Sequence, residues 1–331
     1  MGAATVLGCS GSVDVPGAGG SGSTSSGQGT TSVSTGAGAG AGVAIAITKL
    51  RLGAESPTAW ESYGSDIDGV NTSAENVLTQ CKPNSSGSAK ATFIDGAGGV
   101  DNSWGRNLVP IFKSLAGSGS LEDIGNEPIS KGRSTLILDF ANLGTGDTQS
   151  PLAFFGLTGT NKSGSSWPIA PEPLAGSTPE TSVMTFQSAS LTGNALLAKG
   201  GVLLVSLGIL PDSMANGAML HLKLHAASVR ATLSQDHTTI QQGILSGVLD
   251  TEEFAAEANR VMGAWSKDLC GTMVTQSVLT QIRQASDIMT DGTQNPSVTC
   301  DGISIGLGFD GAVTTLGAVA PPTPSEIDPC L

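Results

Sequence analysis

The sequence predicts a mainly β protein, a sandwich or jelly roll with a few helical inserts, two of them near the C-terminal third. Three observations carry that expectation. Apolar and polar residues alternate in a series of short runs, and clusters of glycine, proline and serine separate those runs. Charged residues make up only 13% of the chain, against about 25% in an average soluble protein. Many short strands with irregular connections are what such folds are built from.

"VAIAITKLRL" (43–52) opens with Val43, Ile45 and Ile47 on one face, then shifts to Thr48, Leu50 and Leu52. A mid-strand change of phase predicts a β-bulge. "DNSWGRNLVPIFKSL" (101–115) spaces Trp104, Leu108, Ile111, Phe112 and Leu115 as on a helix, with a kink at Pro110. "STLILDF" (134–140) reads as a strand with Leu136, Leu138 and Phe140 on one side, and "PLAFFGL" (151–157) and "SVMTFQS" (182–188) follow. The Pro-rich stretch 167–179 is one long surface loop or a lobe boundary near 165–180, within a single domain spanning 43–331. "GVLLVSLGI" (201–209), "AMLHLKLHAASVRATL" (218–233) and "TTIQQGILSGVL" (238–249) are further strands.

"DTEEFAAEANRVMGAW" (250–265) then begins a helix at Asp250, with Glu253 three residues on as in a capping box. Phe254, Val261, Met262 and Trp265 share its apolar face. "VTQSVLTQIRQASDIM" (274–289) sets Val274, Val278, Ile282, Ala285 and Met289 in helical register, and "GISIGLGF" (302–309) returns to strand. The longest apolar stretch, 195–210, is broken by Lys199 and by glycines, so no membrane-spanning helix is expected.

The first 42 residues differ from the rest. Residues 10–42 hold eleven glycines and a single charge, Asp14. Such a segment buries too little apolar surface to offset the entropy of ordering it, so it reads as a flexible tether, spanning about 30 Å as a coil. At its head stands Val6-Leu7-Gly8-Cys9. This resembles the lipobox of bacterial lipoproteins. The resemblance implies that Cys9 is the lipidated residue, that residues 1–8 are the remainder of a signal segment, and that Ser10 directs the protein to the outer membrane. Eight residues without Lys or Arg precede Cys9, fewer than a signal peptide has, and the long neutral tether favours a start codon further upstream. Together with the composition, residues 6–42 resemble Gram-negative envelope lipoproteins, which implies an outer-membrane or cell-surface location and a membrane contact made through the lipid.

Cys81, Cys270, Cys300 and Cys330 remain. Their even number fits an oxidising compartment, and none stands in a CxxC. Of three possible pairings, we expect Cys270–Cys300, worth about 3.5 kcal/mol for a loop of ~30 residues, with Cys81–Cys330.

Two Asp-Gly loops are the most specific features outside the N-terminus. "WESYGSDIDGVN" (60–71) and "DGAGGVDNSWG" (95–105) offer Asp66, Asp68, Asp95, Asp101 and Asn102 as oxygen ligands for Ca²⁺. The first is not an EF-hand, because Asn71 and Val77 occupy the positions that need Gly and Glu. The competing reading is a set of Asx-turns, with Asn102 or Ser103 capping the helix after it. Trp60, Tyr63 and Trp104 flank these loops and are candidates for a ligand-binding patch.

Other chemistries fare worse. His221, Lys223 and His225 alternate with leucines, so the HxxxH reads as a strand that holds the histidines roughly 13 Å apart, too far to share zinc. His237 falls in a hairpin turn, and all three histidines read as surface residues. Gly302-Ile-Ser304-Ile-Gly306 matches GxSxG, and residues 306–311 match GxGxxG. Strand-like sequence continues through both, and neither a triad histidine nor a helix follows.

The 28 acidic residues against 15 basic ones give a net charge of −13, which disfavours nucleic acid as a partner. The sequence therefore suggests a non-enzymatic binding or envelope-structural lipoprotein whose partner is an envelope protein or a glycan. The alternatives are a secreted glycan-active hydrolase and a calcium-stabilised adhesion module.

Overall fold

The computed structural model describes residues 42–84, 92–115, 119–208, 218–322 and 328–330. Cys9 and nearly all of the tether lie outside the described residues. The protein is mainly β. Among the described residues the strands are β1 (Val43–Arg51), β2 (Ser134–Phe140), β3 (Phe154–Thr160), β4 (Ser166–Ile169), β5 (Ser188–Thr192), β6 (Ala195–Leu207), β7 (Leu220–Leu233), β8 (Thr239–Asp250), β9 (Gly302–Val313) and β10 (Thr315–Val319). They form one sheet in the order β10-β4-β3-β2-β1-β9-β8-β7-β6-β5, antiparallel except for the β10–β4 pair.

The two layers expected of a sandwich are opposite walls of this single curled sheet. The free edge of β5 meets residues 149–152, which lead into β3: Gln149 and Leu191 exchange backbone hydrogen bonds of 2.8 Å, and the Leu152 N–H donates to Ala189. Across the interior, a Cβ at Gly156 of β3 would stand 3.1 Å from Leu203 of β6. The main core fills the space between, with Ile45, Leu138, Phe140, Leu203, Leu224 and Leu307 all buried. A smaller core covers the other face of β1–β3, where Ile137, Leu157, Trp167 and Ile169 pack together. Part of the Pro-rich stretch is therefore strand β4 of this sheet.

Phase shifts in the sequence become bulges in the ladder. Ile47 faces Gly311 and Lys49 faces Asp310, leaving Thr48 as the extra residue, its hydroxyl bonded to the Asp310 carbonyl. Trp104–Leu108 form a π-helical turn that passes into α1 (Val109–Leu115), with Pro110 in the first turn of α1. Two short helices, α2 (Leu121–Gly125) and α3 (Glu127–Ser130), follow.

Helix α4 (Thr251–Trp265) starts where expected, its Asp250 carboxylate accepting from the Glu252 and Glu253 N–H groups. Glu253 does not complete a capping box; it turns to Lys223 and His225 on β7. Helix α5 (Met273–Gln284) buries Val278 and Ile282 but ends before Met289, and Val274 is exposed. Its continuation is diverted because Asp287 is bonded to Ser304 of β9.

The four cysteines form two disulfides, but with Cys81 joined to Cys300 and Cys270 to Cys330. This corrects the pairing expected from sequence. The α4–α5 hairpin carries Cys270 against Gly263 and Cys330. Cys300 instead lies beside residue 82, where the Lys82 N–H donates to Val298 and the Cys300 N–H to Lys82.

Candidate functional site

Residues 53–84, 92–103 and 285–302 cover the outer face of β7–β9. Contact is close enough to require glycine in the strand beneath: a Cβ at Gly306 would lie 2.3 Å from the Tyr63 carbonyl oxygen. Ser304 of β9 accepts from the Ser103 N–H at 2.8 Å and donates to Asp287 at 2.6 Å. The Ser65 and Ser228 hydroxyls face each other at 3.4 Å.

Among the described residues, one group of carboxylates converges as a metal site would require. Asp66, Asp68 and Asp101 each offer an oxygen within 4.8 Å of the others. Turn geometry places them. Asp66 accepts from the Gly69 N–H at 2.7 Å, and Asp68 from the Val70 N–H at 2.8 Å, the Asx-turns that such short Asp-Gly loops favour. Asp101 is buried and accepts from the Ile67 N–H at 2.6 Å, which draws the two loops together. The Asx-turns of the competing reading are therefore present at Asp66 and Asp68.

Asp95 and Asn102 are not among those three, although Asp95 shares a side-chain hydrogen bond with Asp101. Asp95 accepts from the Thr72 N–H at 2.5 Å and anchors the end of the first loop. Asn102 is buried; its amide nitrogen donates to Tyr63 at 2.6 Å, and its oxygen accepts from the Gly105 and Gly306 N–H groups. Both ends of that side chain serve the backbone, so Asn102 is a structural clamp rather than a ligand.

Sequence reasoning missed two members of the cluster. Gln294 donates to Asp68 at 2.8 Å and to the Asp287 carbonyl at 3.1 Å, and accepts from the Cys81 N–H at 2.9 Å. Asp287 is buried beneath it. Their signal was a third Asp-Gly pair, Asp291-Gly292, in the same run.

No ion pair among the described residues reaches these carboxylates. Burial, reinforced by the charges of Asp68, Asp95 and Asp287, drives the Asp101 pKa well above the usual carboxylate range. Burial likewise raises Asp95 and Asp68, and pushes Asp287 up to about 7. Carboxylates this close in a low-dielectric setting retain a proton or share a cation.

The aromatic patch does not form. Trp104 is 1% exposed and packs between Phe112 and Phe254, with ring centroids at 5.2 and 5.5 Å. Trp60 is buried under the Arg106 guanidinium, 5.5 Å from its ring centroid. Tyr63 is half-buried and donates to Glu55 at 3.1 Å. These rings anchor the loops to the core, and two of the three offer no face to a ligand.

His221 and His225 lie on β7 as the alternation requires, and His221 bonds to Ser206 of β6 at 2.9 Å. His237 is not a surface residue: it is buried in the β7–β8 turn, 3.0 Å from the Asn194 side chain. The GxSxG serine, Ser304, is buried in mid-strand. Compared with models of known protein families, with curated proteins and with solved structures, the chain matches none.

Proposed function

We propose that residues 43–331 are the ectodomain of an extracytoplasmic lipoprotein, tethered through Cys9 to the outer membrane or cell surface, with a binding or envelope-structural role rather than a catalytic one. One observation carries the reading. All four cysteines of the globular part are consumed in two disulfides, which leaves Cys9 as the odd thiol, at the head of a Gly/Ser tether and in a lipobox-like sequence. Paired structural disulfides fit an oxidising compartment, and an unpaired cysteine there needs a chemical fate. Acylation supplies one, and two or more chains give a stable anchor.

Intact-mass and non-reducing peptide mapping of protein from native membranes is the test. The expected result is a diacylglyceryl-modified N-terminal Cys9 and two disulfides. An unmodified Met1 with free thiols throughout would refute the proposal.

A second reading concerns what stabilises the loops. The convergence of Asp66, Asp68 and Asp101 without a cationic partner supports a Ca²⁺ ion among them, as in an adhesion module with metal-stabilised loops. Adding 1 mM CaCl₂ to protein stripped with EDTA is expected to raise the thermal midpoint, by about 2.7 kcal/mol of stability if that concentration is ~100 times Kd. The Asp101→Asn variant is expected to lose the shift. An identical melting curve with and without calcium removes the metal from the reading and leaves the protonated cluster.

A further inference from the structure

The outer face of the sheet carries a groove where two adjacent strands are irregular at the same level. The β6–β7 ladder shifts register between Ala198, Gly201 and Leu203, and the β7–β8 ladder between His225 and Ser228. Ala226, at that break, has φ +45°, a left-handed conformation that a residue with a Cβ holds only when its surroundings enforce it. Side-by-side bulges turn a flat ladder into a concave floor of Gly200, Gly201 and Ala226.

The walls are fixed. One is the loop before β9, held by the Cys81–Cys300 disulfide, by Gln294, and by Asp301 accepting from the Thr290 N–H at 2.7 Å. It approaches so closely that a Cβ at Gly292 would stand 3.0 Å from that of Ala226. The other, Ser65–Ile67, borders only the smaller of two cavities beside the bulges. These measure about 740 Å³ and about 410 Å³, with Gly200, Ala226 and Asp291 lining both. Both sizes are ordinary for a small-ligand site.

The lining decides the class of ligand. Its charges are mixed, with Asp66, Asp291 and Asp301 against Lys199 and Arg230, and Gln187 and Asn295 add amides. A phosphate polymer meets three carboxylates on a chain of net charge −13. An apolar ligand would strip water from those groups without replacing its hydrogen bonds. A protein partner would want large aromatic anchors, and the ring lining the groove is the His225 imidazole rather than Trp, Tyr or Phe. A neutral polyhydroxyl chain suits it, because each hydroxyl both donates and accepts: carboxylates take pairs of neighbouring hydroxyls while Lys199 and the amides donate to oxygens.

We propose that this groove binds a neutral oligosaccharide laid across the β6 and β7 bulges. The site goes beyond the tethering reading and stands whether or not Cys9 is acylated. Without a Trp, Tyr or Phe ring to stack on, affinity rests mainly on hydrogen bonds, so a method suited to weak binding is needed.

Saturation-transfer NMR on the full chain would use cellotetraose, chitotetraose and mannotetraose, with spermine and trigalacturonate as cationic and anionic probes. At least one neutral tetrasaccharide is expected to show transfer. Val202→Trp, which fills the groove from half-buried β6, is expected to abolish it. Gln187→Ala combined with Lys199→Ala, at two exposed side chains, is expected to weaken it at least fivefold with the melting temperature unchanged. If Val202→Trp fails to fold, the double variant decides. Transfer from none of the neutral sugars, from a charged probe alone, or undiminished in folded variants would each overturn the proposal.

Discussion

Replacing Cys81 and Cys300 together by serine lowers the unfolding free energy by about 2–5 kcal/mol, and by more than the same exchange at Cys270 and Cys330. The cross-link joins residues 219 apart in sequence, against 60 for the other. Loop-closure entropy alone gives roughly 5 kcal/mol for the first and roughly 4 kcal/mol for the second. Surroundings widen the gap. Cys81 and Cys300 are buried beside Val77 and Phe93, where a serine hydroxyl loses its water without an assured partner. Cys81 also holds Gln294 through its N–H, and Gln294 holds Asp68.

Loss of the bond should therefore spread from the disulfide to the acidic loops, while the sheet beneath keeps its ladder. Denaturant unfolding of both double variants measures the first part, with Cys→Ala versions separating hydroxyl burial from lost cross-linking. Amide exchange at residues 65–72 and 287–295 measures the second. Equal losses from the two disulfides, or loops that exchange no faster than in the parent, would show that the covering layer is held by its polar contacts alone.

Local signals in the sequence were legible in proportion to how local their cause was. The bulge at Thr48 shows as a slipped alternation because side-chain direction has a period of two and one extra residue inverts it. Asp250 announces α4 because an N-cap is made within three residues. Strand β4 was hidden, since Ser166–Ile169 contains Pro168 and is too short to show a period. Helix α2 escaped although Ser120 caps Asp123, because only five residues follow the cap. Non-local facts were beyond reach. Nothing near Cys300 says that it meets Cys81, and the partners of Asp68 and Asp101 include Gln294 and Asp287, brought in from across the chain. Position beside the Asp-Gly loops, which marked Trp60 and Trp104 as ligand candidates, cannot tell a ring facing solvent from one facing the core.

Stability falls as pH rises from about 4.5 to 8, the reverse of the usual acid-denaturation slope. Asp287 and Asp139 are each 7% exposed, and burial raises them from 3.8 to about 7 and about 6 respectively. Around Asp139 the facing charge is Glu180; around Asp287 it is Asp95 and Asp68. A carboxyl whose folded pKa exceeds its unfolded value binds more protons folded than unfolded between the two. The stability derivative with pH is then negative across that window, from about 4 up to about 6 for Asp139 and about 7 for Asp287. At 1.36 kcal/mol per unit, each contributes a loss on the order of 2–4 kcal/mol by pH 8.

Groups shifted the other way set the acid limit. Arg51 holds Asp310 low through its hydrogen bonds, and Arg283 does the same for Glu252, so their stabilisation fades only as the pH drops below about 4. The two sets together place the maximum near pH 4–5. Thermal midpoints in EDTA across pH 4–8 measure the profile, and Asp139→Asn is expected to flatten the fall between 4 and 6. Asp287→Asn is the sharper variant, because its effect extends one unit higher while an amide still offers Ser304 an acceptor for its N–H. A midpoint that climbs steadily from pH 4 to 8 in the parent would mean that these carboxyls ionise freely, and that water reaches the layer between the loops and the sheet.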